Sequence, residues 1–212
     1  MSLAEPIVIP GDVEKPVFFS WRSQIVSSQG GDLPHWEQDG ATVFVTFRLA
    51  DSIPQEKLNQ WRGEEEEWTL LHPQPWDEET QLRHDRAFAL EREKWLDRGY
   101  GECLLKKPQV RAIVGSSLRH FDGVRYRLYA YVVMPNHVHA VFMPLGGRTV
   151  KEIVHSWKSF TAHEINVTLR RSGSVWQGEY FDRYVRDVQH FGRVMRYVKH
   201  NDPTHAWTVG SW

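Results

Sequence analysis

Residues 125–143 read RYRLYAYVVMPNHVHAVFM, and this stretch decides the fold. Both halves are rich in β-branched and aromatic residues, which favour strands, and Pro135-Asn136 interrupts them. Two strands joined by so short a break are expected to form an antiparallel hairpin. Residues i and i+2 of a strand point to one face, so the sequence predicts that His137 and His139 lie side by side on the sheet.

The segments on either side of this hairpin predict a single antiparallel sheet. We expect a strand at 41–49, a helix from 108 to about 121, a helix capped by Thr149, a short strand at 180–186 and a last helix at about 188–200. Allowing for a helical insertion at 51–107, the order is βαββαβ. The predicted fold class is therefore α+β, a ferredoxin-like (RRM-like) antiparallel sheet with helices on one face and a helical insertion after the first strand.

Length and composition predict one globular domain. The chain has 212 residues, 41% of them hydrophobic and 25% charged, which excludes collagen-like and disordered classes. Pro and Gly residues predict an extended N-terminal arm over 1–35, followed by one domain over 36–207 and a tail over 208–212. No apolar run approaches the roughly 20 residues of a membrane helix, so no membrane partner is expected.

Charge is divided unevenly along the chain. Residues 1–100 hold 10 Lys and Arg against 19 Asp and Glu, whereas residues 101–212 hold 16 against 8. A basic half beside an acidic half favours binding of a polyanion such as nucleic acid. Cys103 is the only cysteine, which excludes intrachain disulfides and favours a reducing, cytoplasmic location.

Two groups of residues are candidates for chemistry. His137 and His139 form either a bidentate half-site for a divalent metal or a pair of partly buried histidines bonded to the backbone. Tyr197 and Asn201 are spaced i and i+4 on a predicted helix and share a face. They present either a nucleophile and a third metal ligand, or a packed ring and an amide that ends the helix.

Basic and aromatic residues are mixed in the last third of the chain. This combination suits single-stranded nucleic acid, which needs phosphate neutralisation and base stacking. The alternative is a solvated helix face with core aromatic rings. The candidate DNA-binding residues are Trp176, Arg183, Arg186, Arg193, Arg196 and Lys199.

The motifs together resemble those of a known family. The segment Tyr131-Val-Val-Met-Pro-Asn-His-Val-His-Ala140 resembles the signature of the REP-associated tyrosine transposases, in the single-strand branch of the HUH endonucleases. Tyr197-x-x-x-Asn201 with Pro203 is similar to the family's Tyr-Ile-x-x-Asn-Pro segment, except that Asp202 precedes the proline and Val198 replaces the commoner isoleucine. The resemblance covers residues 36–207.

The resemblance implies a function as well as the ferredoxin-like fold. Members nick single-stranded DNA near hairpins, such as repetitive extragenic palindromes, and rejoin it through a 5′-phosphotyrosine. By resemblance, Tyr197 is the nucleophile, and His137, His139 and Asn201 hold Mg²⁺ or Mn²⁺. The implied enzyme is a nucleoid-associated transposase, either a monomer or a homodimer that exchanges its tyrosine helix.

Two other functions remain open at the sequence level. The domain is either a non-catalytic binder of single-stranded nucleic acid, as RNA-recognition motifs are, or a small metallohydrolase that uses the histidine pair. The first alternative requires neither the histidines nor Tyr197. The second predicts hydrolysis with no covalent DNA adduct.

Overall fold

The structure is a computed structural model that describes residues 11, 13–20, 22–23, 26–28, 35–73, 76–84, 87–88, 90–202 and 206–208. Its strands are β1 (Val26–Ser28), β2 (His35–Glu37), β3 (Val43–Arg48), β4 (Tyr126–Val133), β5 (His137–Pro144), β6 (Phe181–Tyr184) and β7 (Ala206–Thr208). Its helices are α1 (Gln55–Leu71), α2 (Glu78–His84), α3 (Leu90–Asp97), α4 (Pro108–His120), α5 (Val150–Leu169) and α6 (Val188–Asn201), with a 3-10 turn at Leu104–Lys106. Within these ranges, no helix combines the length and apolar character needed to cross a membrane.

The main sheet has five antiparallel strands in the order β6-β3-β5-β4-β7. The four strands predicted from the sequence are therefore ordered fourth, first, third, second, with both crossovers made by helices. This arrangement confirms the ferredoxin-like α+β class. β5, which carries the histidine pair, is the central strand and is buried along its whole length. The strand β7 was not predicted; it pairs with the outer edge of β4.

Helices cover both faces of the sheet. The two crossover helices, α4 and α5, pack on the face that carries Val45, Ala140 and Phe142. The apolar stripe of α6 packs on the opposite face, against residues such as Phe44 and Val141. The prediction of helices on one face therefore holds only for the crossover helices. Helices are needed on both faces because β5 presents buried apolar side chains on each side of the sheet.

Two boundaries of the predicted domain fall inside strands of the structure. The boundary at residues 35 and 36 falls inside β2, which pairs with β1, and the boundary after 207 falls inside β7. Part of the predicted N-terminal arm packs on the sheet, because Phe19 is buried and its N–H donates to the carbonyl of Val185 at 2.9 Å. The tail at 209–212 lies outside the described residues.

The insertion over 51–107 contains α1, α2 and α3, in agreement with its helical composition. It has a small core of its own around Ile53, Trp61 and Leu96. Leu49, just before the insertion, and Leu105, near its end, both bind the β4–β5 turn: Leu49 N–H donates to the carbonyl of Asn136, and Leu105 N–H donates to that of Pro135. The insertion therefore borders the end of the sheet at which His137 begins β5.

Candidate active site

His137 and His139 lie side by side on the face of the sheet that α6 covers. Their Nε2 atoms are 3.0 Å apart, and their ring centroids are 4.6 Å apart. This geometry confirms that the two rings share a face, as the strand period predicts. The rings are almost fully buried, with His137 1% and His139 0% exposed. A ligand can therefore reach the Nε2 atoms only when the side chains that cover them move.

Side chains hold the other nitrogen of each ring. The Oδ1 atom of Asn136 lies 2.8 Å from Nδ1 of His137, and Oγ1 of Thr46 lies 2.7 Å from Nδ1 of His139. Asn136 Nδ2 donates to the carbonyl of Tyr100, which fixes Oδ1 as the atom that faces His137. Because Oδ1 only accepts, His137 Nδ1 carries the hydrogen, and its Nε2 presents a lone pair toward His139.

Burial keeps both imidazoles neutral. It lowers the pKa of His137 to about 3. The pKa of His139 is lowered further below its usual range by burial and by the neighbouring His137. Neutral imidazole is the form that binds metal ions. Neither ring makes the backbone hydrogen bonds that a purely structural pair of histidines was expected to make.

Tyr197 on α6 contacts the histidine pair. Its Oη lies 3.4 Å from Nε2 of His139, and its ring packs edge-on against His139 and Phe44. The neighbouring Val198 is buried in the core under the sheet, which fixes the rotation of the helix and turns Tyr197 toward the histidines. Tyr197 itself is half-buried. Asp187 caps the N-terminus of α6, and its carboxylate accepts a hydrogen bond from the N–H of His190 at 2.6 Å.

Asn201 is the last residue of α6 and lies one turn after Tyr197. Its Nδ2 is buried without a hydrogen-bond partner. Rotating the amide by half a turn exchanges this nitrogen for Oδ1, a neutral oxygen that suits a metal ion. The histidine pair also fits a cation, because two ligands about 2.0–2.1 Å from one ion at a right angle lie about 3 Å apart. In the described ranges no three His, Cys, Asp or Glu residues cluster.

Sequence comparison identifies the segment that carries these residues. Residues 107–201 match the family model described as "Transposase IS200 like", and they include His137, His139, Tyr197 and Asn201. This segment of the chain is therefore similar to the IS200-like transposases. No curated protein sequence matches the chain. Among solved structures, one described as "Structure of the REP associates tyrosine transposase bound to a REP hairpin" is similar, with 13% identity, a TM-score of 0.41, and coverage of 88% of this chain and 73% of that chain.

Three of the predicted DNA-binding residues lie at the corner between β6 and α6. Arg183, Arg186 and Arg193 lie around His190. Burial and these three charges, against a smaller opposite effect of Asp187, lower the pKa of His190 to about 4. Arg183 pairs with Phe44 across the strands, so it lies on the face that carries the histidine pair.

The other two predicted cations, Arg196 and Lys199, are half-buried on α6. They lie within one turn of Tyr197 along the helix. All five predicted basic residues are therefore on β6, on α6 or in the short connection between them. This segment combines positive charge with Tyr197.

Trp176 does not belong to this surface. Its ring is 5% exposed and packs against Phe47, on the face opposite the histidines. Its indole N–H donates to Oγ1 of Thr161 at 2.9 Å. The ring cannot stack on a base from inside the core, so we remove Trp176 from the predicted DNA-binding set. The sequence pattern failed here because core rings and rings that stack on a ligand are the same residue types.

Sequence reasoning also missed residues that orient the site. Asn136 was taken only as part of the break between two strands, although its place directly before His137 was a usable signal. Thr46 lies on β3, directly opposite His139, and Arg48 lies opposite His137. Their proximity depends on the β3–β5 register, and nothing in the sequence alone sets that pairing.

Proposed function

We propose that this chain is a metal-dependent single-stranded DNA endonuclease and strand transferase of the REP-associated type. It nicks DNA near hairpins through a 5′-phosphotyrosine intermediate on Tyr197. The observation that carries the proposal is the 3.4 Å approach of Tyr197 Oη to Nε2 of His139, beside a pair of converging neutral imidazoles.

His137, His139 and the amide oxygen of Asn201 would hold the metal. When bound, a divalent ion such as Mg²⁺ or Mn²⁺ polarises the scissile phosphate as a Lewis acid. Two imidazoles and an amide suit these hard ions poorly without further oxygen ligands. We therefore expect weak metal binding in the absence of DNA.

Tyr197 supplies the covalent chemistry. Its phenol loses a proton, and Oη attacks phosphorus to form an O–P bond to the 5′-phosphate. The bond from phosphorus to the 3′-oxygen breaks, and that oxygen takes up a proton and leaves as a 3′-hydroxyl. The energy of the phosphodiester is kept in the tyrosine ester, so attack by a 3′-hydroxyl rejoins the strand without ATP. The phenol of free tyrosine ionises with a pKa of about 10, so attack at neutral pH needs nearby cations that favour the phenolate of Tyr197.

The basic residues around this tyrosine are suited to the DNA backbone. Arg183, Arg186 and Arg193 form one cluster, and Arg196 and Lys199 continue it along the helix. Guanidinium groups neutralise phosphates and release counterions, which makes binding sensitive to salt. Because Tyr197 contacts His139 of its own chain, we expect the active site to be complete in a monomer. A DNA partner fits a cytoplasmic, nucleoid-associated protein.

A covalent-adduct assay tests the proposal. Full-length protein is mixed with Mn²⁺ or Mg²⁺ and a pool of oligonucleotides that carry a hairpin and randomised single-stranded flanks. We expect a denaturation-resistant adduct when the label is at the 3′ end, and a shortened free strand when the label is at the 5′ end. EDTA and Tyr197→Phe should each abolish the adduct. Tyr131→Phe, which removes a phenol from the opposite face of the sheet, is the matched control and should retain it.

The remaining outcomes identify the alternatives. Cleavage that leaves no adduct, and that persists in Tyr197→Phe, would make water the nucleophile and the protein a metallohydrolase. Salt-dependent DNA binding without any cleavage would indicate a non-catalytic binding domain. An adduct that persists in Tyr197→Phe would move the nucleophile to another residue.

A further inference from the structure

Phe181 lies in one row with the histidine pair, at the edge of the sheet. It is the first residue of β6, an edge strand, and is directly opposite Thr46 on β3. Thr46 is in turn directly opposite His139 on β5, and its Oγ1 lies 2.7 Å from Nδ1 of that ring. Directly opposite residues share a face of the sheet, so Phe181 and His139 are on the same face, two strand spacings or about 10 Å apart.

The ring of Phe181 is half-exposed and lies outside the cores of the sheet. Its neighbours Tyr180 and Tyr184 are on the opposite face and pack into the core under α4 and α5. In the described part of the chain, neither core on the two faces of the sheet includes Phe181. Because α6 covers the central strands on the histidine face, a ring on the edge strand is in a position that a ligand can reach.

A cation borders this ring. Arg183 is two residues further along β6 and on the same face, and its guanidinium carbon is 5.8 Å from the centroid of the Phe181 ring. Arg183 is directly opposite Phe44, whose ring stacks on that of His139 with 5.2 Å between the centroids. Phe181 and Arg183 thus place an aromatic ring and a positive charge beside the candidate active site. Proteins bind single strands with this combination, in which bases stack on rings and phosphates meet cations.

We propose that Phe181 stacks on one base of the single-stranded part of the DNA, a few nucleotides from the phosphate that reacts at the histidine pair. The inference rests on the proposed function, because it takes the bound strand to run across this face of the sheet. Phe181 takes the role that Trp176 cannot fill from inside the core. Every base has a π-face, so the contact holds the strand in place without selecting its sequence.

Fluorescence anisotropy with two 5′-fluorescein oligonucleotides tests the contact. Both probes carry the same hairpin and single-stranded flanks of equal length. In the second probe, abasic tetrahydrofuran units replace every flanking nucleotide, so the phosphates remain and the bases are lost. Full-length protein is titrated in EDTA, so that no cleavage occurs, over a series of KCl concentrations.

Four variants separate stacking from other roles of the ring. Phe181→Ala removes the side chain, and Phe181→Leu keeps an apolar side chain at the sheet edge but has no planar face. Phe181→Trp keeps a ring for stacking. Phe160→Ala is the matched control, because it removes a 54% exposed ring from α5, which packs on the opposite face.

We expect Phe181→Ala to bind the probe with bases about tenfold more weakly than wild type, as for the loss of one stack between a base and an aromatic ring. Phe181→Leu should lose most of the same affinity, and Phe181→Trp should retain it. The slope of log affinity against log salt should not change, because a stacked base releases no counterion. All four variants should bind the abasic probe as tightly as wild type.

Three results would overturn the proposal. Equal losses of affinity for the two probes in Phe181→Leu would mean that the ring supports the sheet edge and contacts no base. Wild-type affinity of Phe181→Leu for the probe with bases would mean that apolar volume is sufficient there. A loss in Phe181→Ala no larger than that in Phe160→Ala would mean that no base reaches the ring.

The adduct assay separates this inference from the proposed function. If wild-type protein forms the adduct while Phe181→Ala binds both probes as tightly as wild type, the stacking site is wrong and the endonuclease proposal stands. If wild-type protein forms no adduct but Phe181→Ala loses affinity only for the probe with bases, the endonuclease proposal is wrong and the stacking site stands.

Discussion

The side-chain oxygen of Asn136 lies 2.8 Å from Nδ1 of His137, and the same amide donates to the backbone of Tyr100 in the insertion. One buried side chain thus orients a candidate metal ligand and ties it to the inserted segment. Outer partners of this kind set the tautomer and direction of a ligating imidazole. In the proposed metal site, Asn136 would therefore act through His137 without contacting the metal.

Replacing Asn136 with Ala should weaken Mn²⁺ binding by about tenfold or more, because His137 loses the acceptor that fixes its tautomer. Isothermal titration with Mn²⁺ in the presence of the hairpin oligonucleotide measures the change. Asn136→Asp keeps an acceptor at the same place and loses only the donor to Tyr100, so it should bind Mn²⁺ at least as well as wild type. Equal Mn²⁺ affinity in Asn136→Ala and wild type would show that the residue only supports the turn.

Changing Asn201 tests the third ligand. Asn201→Asp introduces a carboxylate, which Mg²⁺ and Mn²⁺ prefer to an amide, and should strengthen metal binding by about tenfold. Asn201→Ala should weaken it by a similar factor, and both effects are measured by the same titration. His200→Ala alters the exposed neighbour and should leave the affinity unchanged. If the Ala and Asp variants of Asn201 bind the metal equally, Asn201 only ends the helix.

The sequence was sufficient for features that depend on local periodicity. Alternation along residues 137–144 placed His137 and His139 on one face, and the Thr149 cap is a complete capping box with Glu152. The i, i+4 spacing placed Tyr197 and Asn201 together on α6. These features follow from the geometry of a single strand or a single helix, which a sequence pattern records directly.

Features that depend on the packing of distant segments could not be predicted. The approach of Thr46 to His139 needs the β3–β5 register, and the cover that α6 places over the histidines needs its position on the second face. The ion pair of Glu65 and Arg92 joins two helices of the insertion across 27 positions of the chain. Sequence spacing carries no information about such contacts.

Trp176 should behave as a core residue in stability measurements. Trp176→Ala should destabilise the fold by about 3–5 kcal/mol, because it empties a packed site beside Phe47. Trp176→Phe keeps most of the side-chain volume but removes the indole N–H that donates to Thr161. It should lower the free energy of unfolding by about 1–2 kcal/mol. Urea unfolding measures both values. Trp176→Phe should bind the hairpin oligonucleotide as tightly as wild type, and a large loss of DNA affinity without a loss of stability would return the ring to the DNA-binding set.

His190 should make the fold less stable in mild acid. Burial, together with the charges of Arg183, Arg193 and Arg186, lowers its pKa in the folded state to about 4, against an ordinary value of 6.5. Between these two pH values the unfolded chain binds a proton that the folded chain does not bind. The free energy of unfolding therefore falls as the pH is lowered from about 6.5 toward 4. Because His190 is half-exposed, solvent screening reduces the effect to about 1 kcal/mol between pH 7 and pH 5.

Urea unfolding of wild type and His190→Gln near pH 7 and near pH 5 isolates this contribution. His137 and His139 are neutral and buried in both proteins, so their own titration cancels in the difference. Between pH 7 and pH 5, the free energy of unfolding of wild type should fall by about 1 kcal/mol more than that of His190→Gln. A saturating concentration of the hairpin oligonucleotide should reduce this difference between the two proteins. Bound phosphates offset the arginine charges that disfavour a protonated His190. Equal losses in the two proteins would mean that His190 titrates normally and that the three arginines do not converge on it in solution.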